Sequence, residues 1–144
     1  MIQLIIASDH AGFPLKEALV KQLQSESIGC IDIGTFGTER VDYPDYAHAL
    51  AESIENGEAA MGILICGSGQ GMAIAANKHK DIRCALCWNK EIVMLSRAHN
   101  NANVLALPGR FLNVEEAWEM VQCFIHTAFE GGRHSERVHK INPS

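Results

Sequence analysis

Short apolar runs alternate along this chain with segments whose apolar positions recur every three or four residues, a pattern that predicts a parallel sheet with helices on both faces. Ile2 to Ala7 reads as the first strand, and Pro14 suits the first turn of a helix that carries Leu15, Ala18, Leu19 and Leu23 on one face. A second strand follows near Cys30 to Ile33. Gly34 to Asp45 reads as a loop, and Ala47, Leu50, Ala51 and Ile54 mark a second amphipathic helix. Met61 to Cys66 is the third strand. A third helix begins near Gly71, a fourth strand runs from Arg83 to Leu86, a fourth helix begins near Asn89, and a fifth strand covers Val104 to Leu107. The fifth helix has the clearest signature, with Asn113 as cap, Glu116 three residues on, and a stripe of Val114, Ala117, Trp118, Val121, Phe124, Ile125 and Ala128.

These elements predict a single three-layer α/β/α domain of Rossmann-like type over residues 1–144, with five parallel strands in the order 2-1-3-4-5. The sequence shows no repeat, low-complexity tract or linker, and the polar, basic segment at about 131–144 reads as a C-terminal arm. A chain of 144 residues buries roughly two thirds of its unfolded surface without help from disulfides. Its five cysteines are an odd number with no regular framework, and the N-terminus lacks the pattern of a signal peptide. A reducing, cytoplasmic setting is expected.

No apolar run approaches the ~20 residues that span a bilayer. A net charge of -5 argues against general nucleic-acid binding, which needs a basic surface to displace counterions. Any anionic ligand must therefore be held locally. The place for that is Cys66-Gly67-Ser68-Gly69-Gln70-Gly71, where a strand delivers a thiol into a glycine-rich turn that opens a helix. Glycines let backbone N–H groups approach an anion, and the helix start adds unpaired donors and a positive dipole end. The same field favours thiolate over thiol, which makes Cys66 a candidate base or nucleophile.

In doubly wound sheets ligands collect beyond the carboxyl ends of the strands where strand order reverses. With strands one and three adjacent, Asp9-His10-Ala11-Gly12 and the Cys66 turn end side by side, so a carboxylate, an imidazole, a thiol and an anion nest converge. Taken singly, Asp9 reads as a helix cap and Cys66 as a buried small hydrophobe. Their joint placement is what points to chemistry. The glycines match neither the dinucleotide fingerprint, because position 72 is Met, nor the Walker pattern. Cys84 and Cys87 lie three apart on a predicted strand, face opposite ways, and read as structural.

Arg133 and Arg137 are four apart, so a helical turn presents both guanidinium groups on one face as a phosphate clamp, with His134 beside them and Arg110 a third partner after strand five. His99-Asn100-Asn101-Ala102-Asn103 reads first as a helix stop and turn. Because helices run back against the strands, His99 belongs at the edge opposite Cys66. If both serve one site, two chains must build it.

The Asp9-His10-Ala11-Gly12 turn, the Cys66 to Gly71 turn, His99-Asn100 through Asn103-Val104, and Arg110, Arg133 and Arg137 occur in order. Together they resemble the B-type ribose-5-phosphate isomerases, in the sugar-phosphate isomerase family that also includes the galactose-6-phosphate isomerase subunits, over essentially the whole chain. The resemblance implies an aldose-ketose isomerase needing neither metal nor cofactor, which interconverts ribose 5-phosphate and ribulose 5-phosphate through an enediolate in the non-oxidative pentose phosphate pathway. It implies a homodimer or tetramer whose sites are shared between subunits, with no nucleic-acid or membrane partner. Cys66 would be the base, the Gly67, Ser68, Gly69, Gln70 and Gly71 turn the enediolate cradle, and His99 the ring-opening acid, with Asp9 assisting. His10, Arg110, Arg133 and Arg137 would hold phosphate, and Asn100 the sugar oxygens. Two other readings are an isomerase for allose or galactose 6-phosphate, and a non-catalytic sugar-phosphate-binding subunit.

Overall fold

The computed structural model describes residues 3–144, so the expected strand residue Ile2 lies outside the described residues. Among the described residues there are five strands: β1 (Gln3–Ser8), β2 (Gly29–Asp32), β3 (Met61–Cys66), β4 (Cys84–Leu86) and β5 (Val104–Pro108). Six helices join and follow them: α1 (Phe13–Ser25), α2 (Tyr43–Glu55), α3 (Gln70–Ala76), α4 (Lys90–Ala98), α5 (Val114–His126) and α6 (Arg133–His139). All strand pairs are parallel. Among the described residues, no helix is long and apolar enough to cross a membrane.

Side chains of the central strands go alternately to the two faces, as the pleat requires. Leu4, Ile6, Ile63, Ile65, Leu105 and Leu107 join Leu15, Leu19 and Leu23 of α1 and Ala117, Val121 and Phe124 of α5 in one core. Ile5, Ala7, Leu64 and Cys66 join Ala47, Leu50 and Ala51 of α2 and Met72 and Ala76 of α3 in the other. The three layers and the five parallel strands expected from the apolar pattern are those observed.

The strand order is a correction: it is β2-β1-β3-β5-β4, with the last two strands exchanged relative to the expected 2-1-3-4-5. The reason lies in burial. Every residue of β5 is buried, as suits a central strand covered on both faces, whereas β4 has three half-buried residues and takes the edge. The chain therefore skips a place after β3 and returns to fill it.

Two helix boundaries also differ from expectation. Helix α2 begins at Tyr43, inside the segment read as loop, because Pro44 occupies the first turn and Asp42 the extended cap position. Helix α5 stops at His126, so Ala128 lies beyond it, and Met120 is buried in the stripe as well. Its capping box is formed: Asn113 Oδ1 accepts the Glu116 N–H at 2.8 Å, and Glu116 Oε1 accepts the Asn113 N–H at 3.1 Å. The arm contains α6, and Asn142 Nδ2 beyond it donates to the Lys80 carbonyl at 2.7 Å.

Candidate active site

A cavity of about 510 Å³ opens beyond the carboxyl ends of β1, β3 and β5, lined by Asp9, His10, Ala11, Tyr43, Cys66, Gly67, Ser68, Gly71, Arg110 and Phe111. Parallel pairing sets this up directly. Ser8 is opposite Ile65 and Cys66 opposite Pro108, so the three chain segments that leave these strands start level with one another.

Each segment is held by specific contacts. Asp9 is buried, and its Oδ1 accepts the Gly12 N–H at 2.9 Å while its own N–H donates to the Ile65 carbonyl at 3.2 Å. Its side chain therefore both shapes the turn before α1 and faces the cavity. Gly12 tolerates no side chain, since a Cβ there would sit 2.4 Å from the Ile65 carbonyl oxygen. His10 Nδ1 accepts the Val41 N–H at 3.2 Å. An accepting Nδ1 puts the proton of the neutral ring on Nε2, which is left to donate to a ligand.

Cys66 ends β3 with 5% exposure, at once a member of the α2–α3 core and a wall of the cavity. Its carbonyl accepts the Gly109 N–H at 2.8 Å, and the Gly67 carbonyl accepts the Arg110 N–H at 3.0 Å. Those two bonds bring Arg110 over the glycine turn, where a Cβ on Gly67 would lie 3.3 Å from its side chain. With strand five at the sheet edge, as first expected, a whole strand would have separated Arg110 from Cys66. Ser68 Oγ accepts the Gln70 N–H at 3.3 Å. Among the described residues, the N–H groups of Ser68 and Gly69 make no hydrogen bond and remain as donors. Gly69, at φ 75°, makes the left-handed turn into α3, and neither it nor Gln70 lines the cavity.

The other expected site residues lie elsewhere. His99 caps the C-terminus of α4, at the edge where the strands begin, and its ring stacks on His134 of α6. Arg133 and Arg137 are both on α6, in the helical turn their spacing predicts. Asn100 lines a separate cavity of about 440 Å³ with Arg83, Cys84 and Asn142. One chain thus gathers Asp9, His10, Cys66, Gly67, Ser68, Gly71 and Arg110 and leaves His99, Arg133 and Arg137 at the opposite edge, as the helix direction required. Burial, followed by neighbouring His99 and Arg133, holds the His134 imidazole below its ordinary value, with Glu130 opposing.

Tyr43, Phe111 and the Val41 contact were not anticipated. Pro44 after Asp42 was the available signal for Tyr43, because it starts α2 early enough to bring that ring to the cavity. Among the cysteines, burial pushes the Cys30 and Cys87 thiols up to about 11 and raises that of Cys84 as well. Cys84 and Cys87 pack into opposite cores, in keeping with a structural role.

A family model described as Ribose/Galactose Isomerase matches residues 4–141. The chain belongs to that family. Ribose-5-phosphate isomerase B of Escherichia coli is 43% identical over 98% of this chain and 95% of its own length. The crystal structure of a Thermotoga maritima ribose 5-phosphate isomerase superposes with a TM-score of 0.98 at 48% identity, covering 99% of both chains. A Mycoplasma genitalium ribose-5-phosphate isomerase B, solved with bound ribulose-5-phosphate, has a TM-score of 0.92 at 39% identity and covers 97% of this chain and 93% of its own. This member of the ribose/galactose isomerases is a sugar phosphate isomerase.

Proposed function

We propose that this isomerase interconverts ribose 5-phosphate and ribulose 5-phosphate, with Cys66 as the base that carries a proton between C2 and C1. The observation that carries the reading is the position of the Cys66 thiol at a strand end, in the wall of a cavity it shares with Asp9, His10, Ser68 and Arg110. Removal of the C2 proton leaves its electron pair in an enediolate, whose oxygens develop negative charge. The unpaired N–H and the hydroxyl of Ser68, in the cavity wall, are donors fixed in advance for that charge, the electrostatic role that often dominates such catalysis. Returning the proton to C1, while the O2 hydroxyl proton passes to O1, completes the ketose without any net redox change.

The phosphate falls to His10, whose Nε2 proton is available, and to Arg110 over the turn. His99 serves as the acid that opens the furanose ring and Arg133, Arg137 and Asn100 complete the substrate contacts, all supplied by a second copy of the chain. What supports the second copy is distance. Strands of five or six residues run ~17–20 Å, far beyond the ~3 Å reach of a proton transfer. The bound ribulose-5-phosphate of the Mycoplasma genitalium relative supports a pentose phosphate as substrate.

A panel of aldose phosphates tests the reading, with ribose 5-phosphate expected to turn over fastest and Cys66→Ala to lose nearly all turnover and all exchange of the C2 proton with solvent. Faster turnover of allose or galactose 6-phosphate overturns the pentose assignment. Substantial turnover by Cys66→Ala overturns the base.

A further inference from the structure

At the edge remote from the cavity, the His99 and His134 rings stack with centroids 4.2 Å apart and planes inclined by 12°. Glu130 closes a triangle with them: its Oε1 stands 3.7 Å from His99 Nε2 and 3.5 Å from His134 Nε2. All three ligand atoms lie within 4.8 Å of one another. Both carboxylate separations exceed the ~2.7–3.2 Å of a good N–H···O hydrogen bond. They come within about 0.1 Å of what a shared cation demands, because tetrahedral ligands ~2.0–2.2 Å from zinc stand roughly 3.3–3.6 Å from one another.

The backbone holds this arrangement before any ion arrives. The Glu130 N–H donates to the Ala98 carbonyl at 3.0 Å, pinning the segment before α6 to the end of α4, next to His99. The His134 N–H donates to the Gly131 carbonyl at 3.1 Å, which brings Glu130 and His134 within one turn of each other. The His134 side chain is only 11% exposed and is the fixed ligand, whereas His99 at 38% and Glu130 at 59% have room to adjust. Stacked rings point their lone pairs side by side, so His99 must tilt for both to converge, and its exposure permits that.

We infer that His99, Glu130 and His134 form a binding site for a borderline divalent cation such as Zn²⁺, Co²⁺ or Ni²⁺, and that filling it silences the isomerase. Two imidazole nitrogens and one carboxylate oxygen are a donor set these ions take, with water in the remaining open position. Arg133 and Arg137 flank the site and moderate its affinity by charge repulsion. The silencing rests on the proposed role of His99 as ring-opening acid. A metal ion on Nε2 replaces the proton that His99 would deliver, since a ligating imidazole must be deprotonated at the bound nitrogen.

The test is Co²⁺ titration of the purified full-length protein, read by visible d–d absorption alongside isomerase activity on ribose 5-phosphate. Wild type is expected to develop the absorption without a thiolate-to-cobalt charge-transfer band, and to lose activity in step. Glu130→Gln should keep its metal-free activity and bind cobalt at least about tenfold more weakly, taking the smallest loss seen for outer-shell partners as a floor for a ligand. His134→Ala should lose the absorption as well. Identical titrations for wild type and Glu130→Gln, or a charge-transfer band that places the ion on a cysteine, overturn the site and leave the assignment of His99 untouched. Cobalt bound at Glu130 with full activity retained upholds the site but overturns the silencing, and the acid role of His99 falls with it.

Discussion

Gly69 is where the conformation of one residue decides whether the glycine-rich turn after β3 can exist. Its φ of 75° lies in the left-handed region, and a Cβ there would sit 2.6 Å from Leu86 Cδ1 and 3.0 Å from the Leu107 carbonyl carbon. Gly69→Ala is therefore expected to lose about 2–5 kcal/mol, combining the left-handed penalty of roughly 1–2 kcal/mol with an overpacking cost of about 1–3 kcal/mol. Urea unfolding measures the loss, and a change under about 0.5 kcal/mol, the scale of an ordinary surface substitution, would show that the turn can shift to accept a methyl group. Much of the cavity wall is legible residue by residue, since Asp9, His10, Cys66, Gly67, Ser68, Gly71 and Arg110, all singled out in the sequence, line it. Tyr43 and Phe111 are not, because an aromatic residue in a loop carries no local sign of which cavity it will wall.

At the scale of elements, α1 is tied to the sheet by a group its apolar stripe does not reveal. Lys16 is fully buried, and its Nζ donates to both oxygens of Asp32 at the end of β2, at 2.7 and 2.6 Å. Asp32 Oδ1 also accepts the Gly34 N–H at 3.0 Å, which fixes the start of the loop that goes on to reach His10 through Val41. Lys16→Ala should cost ~3 kcal/mol, the low end of the range for a broken buried pair, because Asp32 keeps 20% of its side chain in solvent. Thermal or urea unfolding checks this, and a loss under about 1 kcal/mol, typical of an exposed pair, would mean that the pair is effectively solvated. A helical period assigns position 16 to the buried face beside Leu15 and Leu19, yet a lysine there gives no hint of its partner sixteen residues on. Boundaries were legible at Asn89 and Asn113, whose side chains accept from the N–H groups of Ile92 and Glu116, and were missed at Asp42, whose side chain makes no capping bond.

For the whole molecule, the separation of Cys66 from His99 leads to a prediction that single residues cannot make. If the proposed site is shared between two chains, a mixture of Cys66→Ala and His99→Ala subunits should regain part of the isomerase activity that each lacks alone, since a hybrid assembly would contain one intact site. Assaying the mixture after proven subunit exchange measures this, and no recovery would argue that each site is built within one chain. The order β2-β1-β3-β5-β4 contributes on the same scale, because it makes β5 the neighbour of β3 and so delivers Arg110 to the cysteine turn. Sequential strands are neighbours in only about two thirds of cases, and the expected order follows that tendency, whereas burial of β5 on both faces places it inside β4. By itself the sequence determined the layer architecture, the start of most elements, the thiol at a glycine turn and the helical pairing of Arg133 with Arg137. These are read from period, capping chemistry and backbone freedom, which act over a few residues. Only the tertiary structure decided the place of β5, the Lys16–Asp32 pair, the Val41 clasp on His10 and the triangle of His99, Glu130 and His134. Each of these joins segments brought together by packing the whole chain, and no local spacing encodes such a meeting.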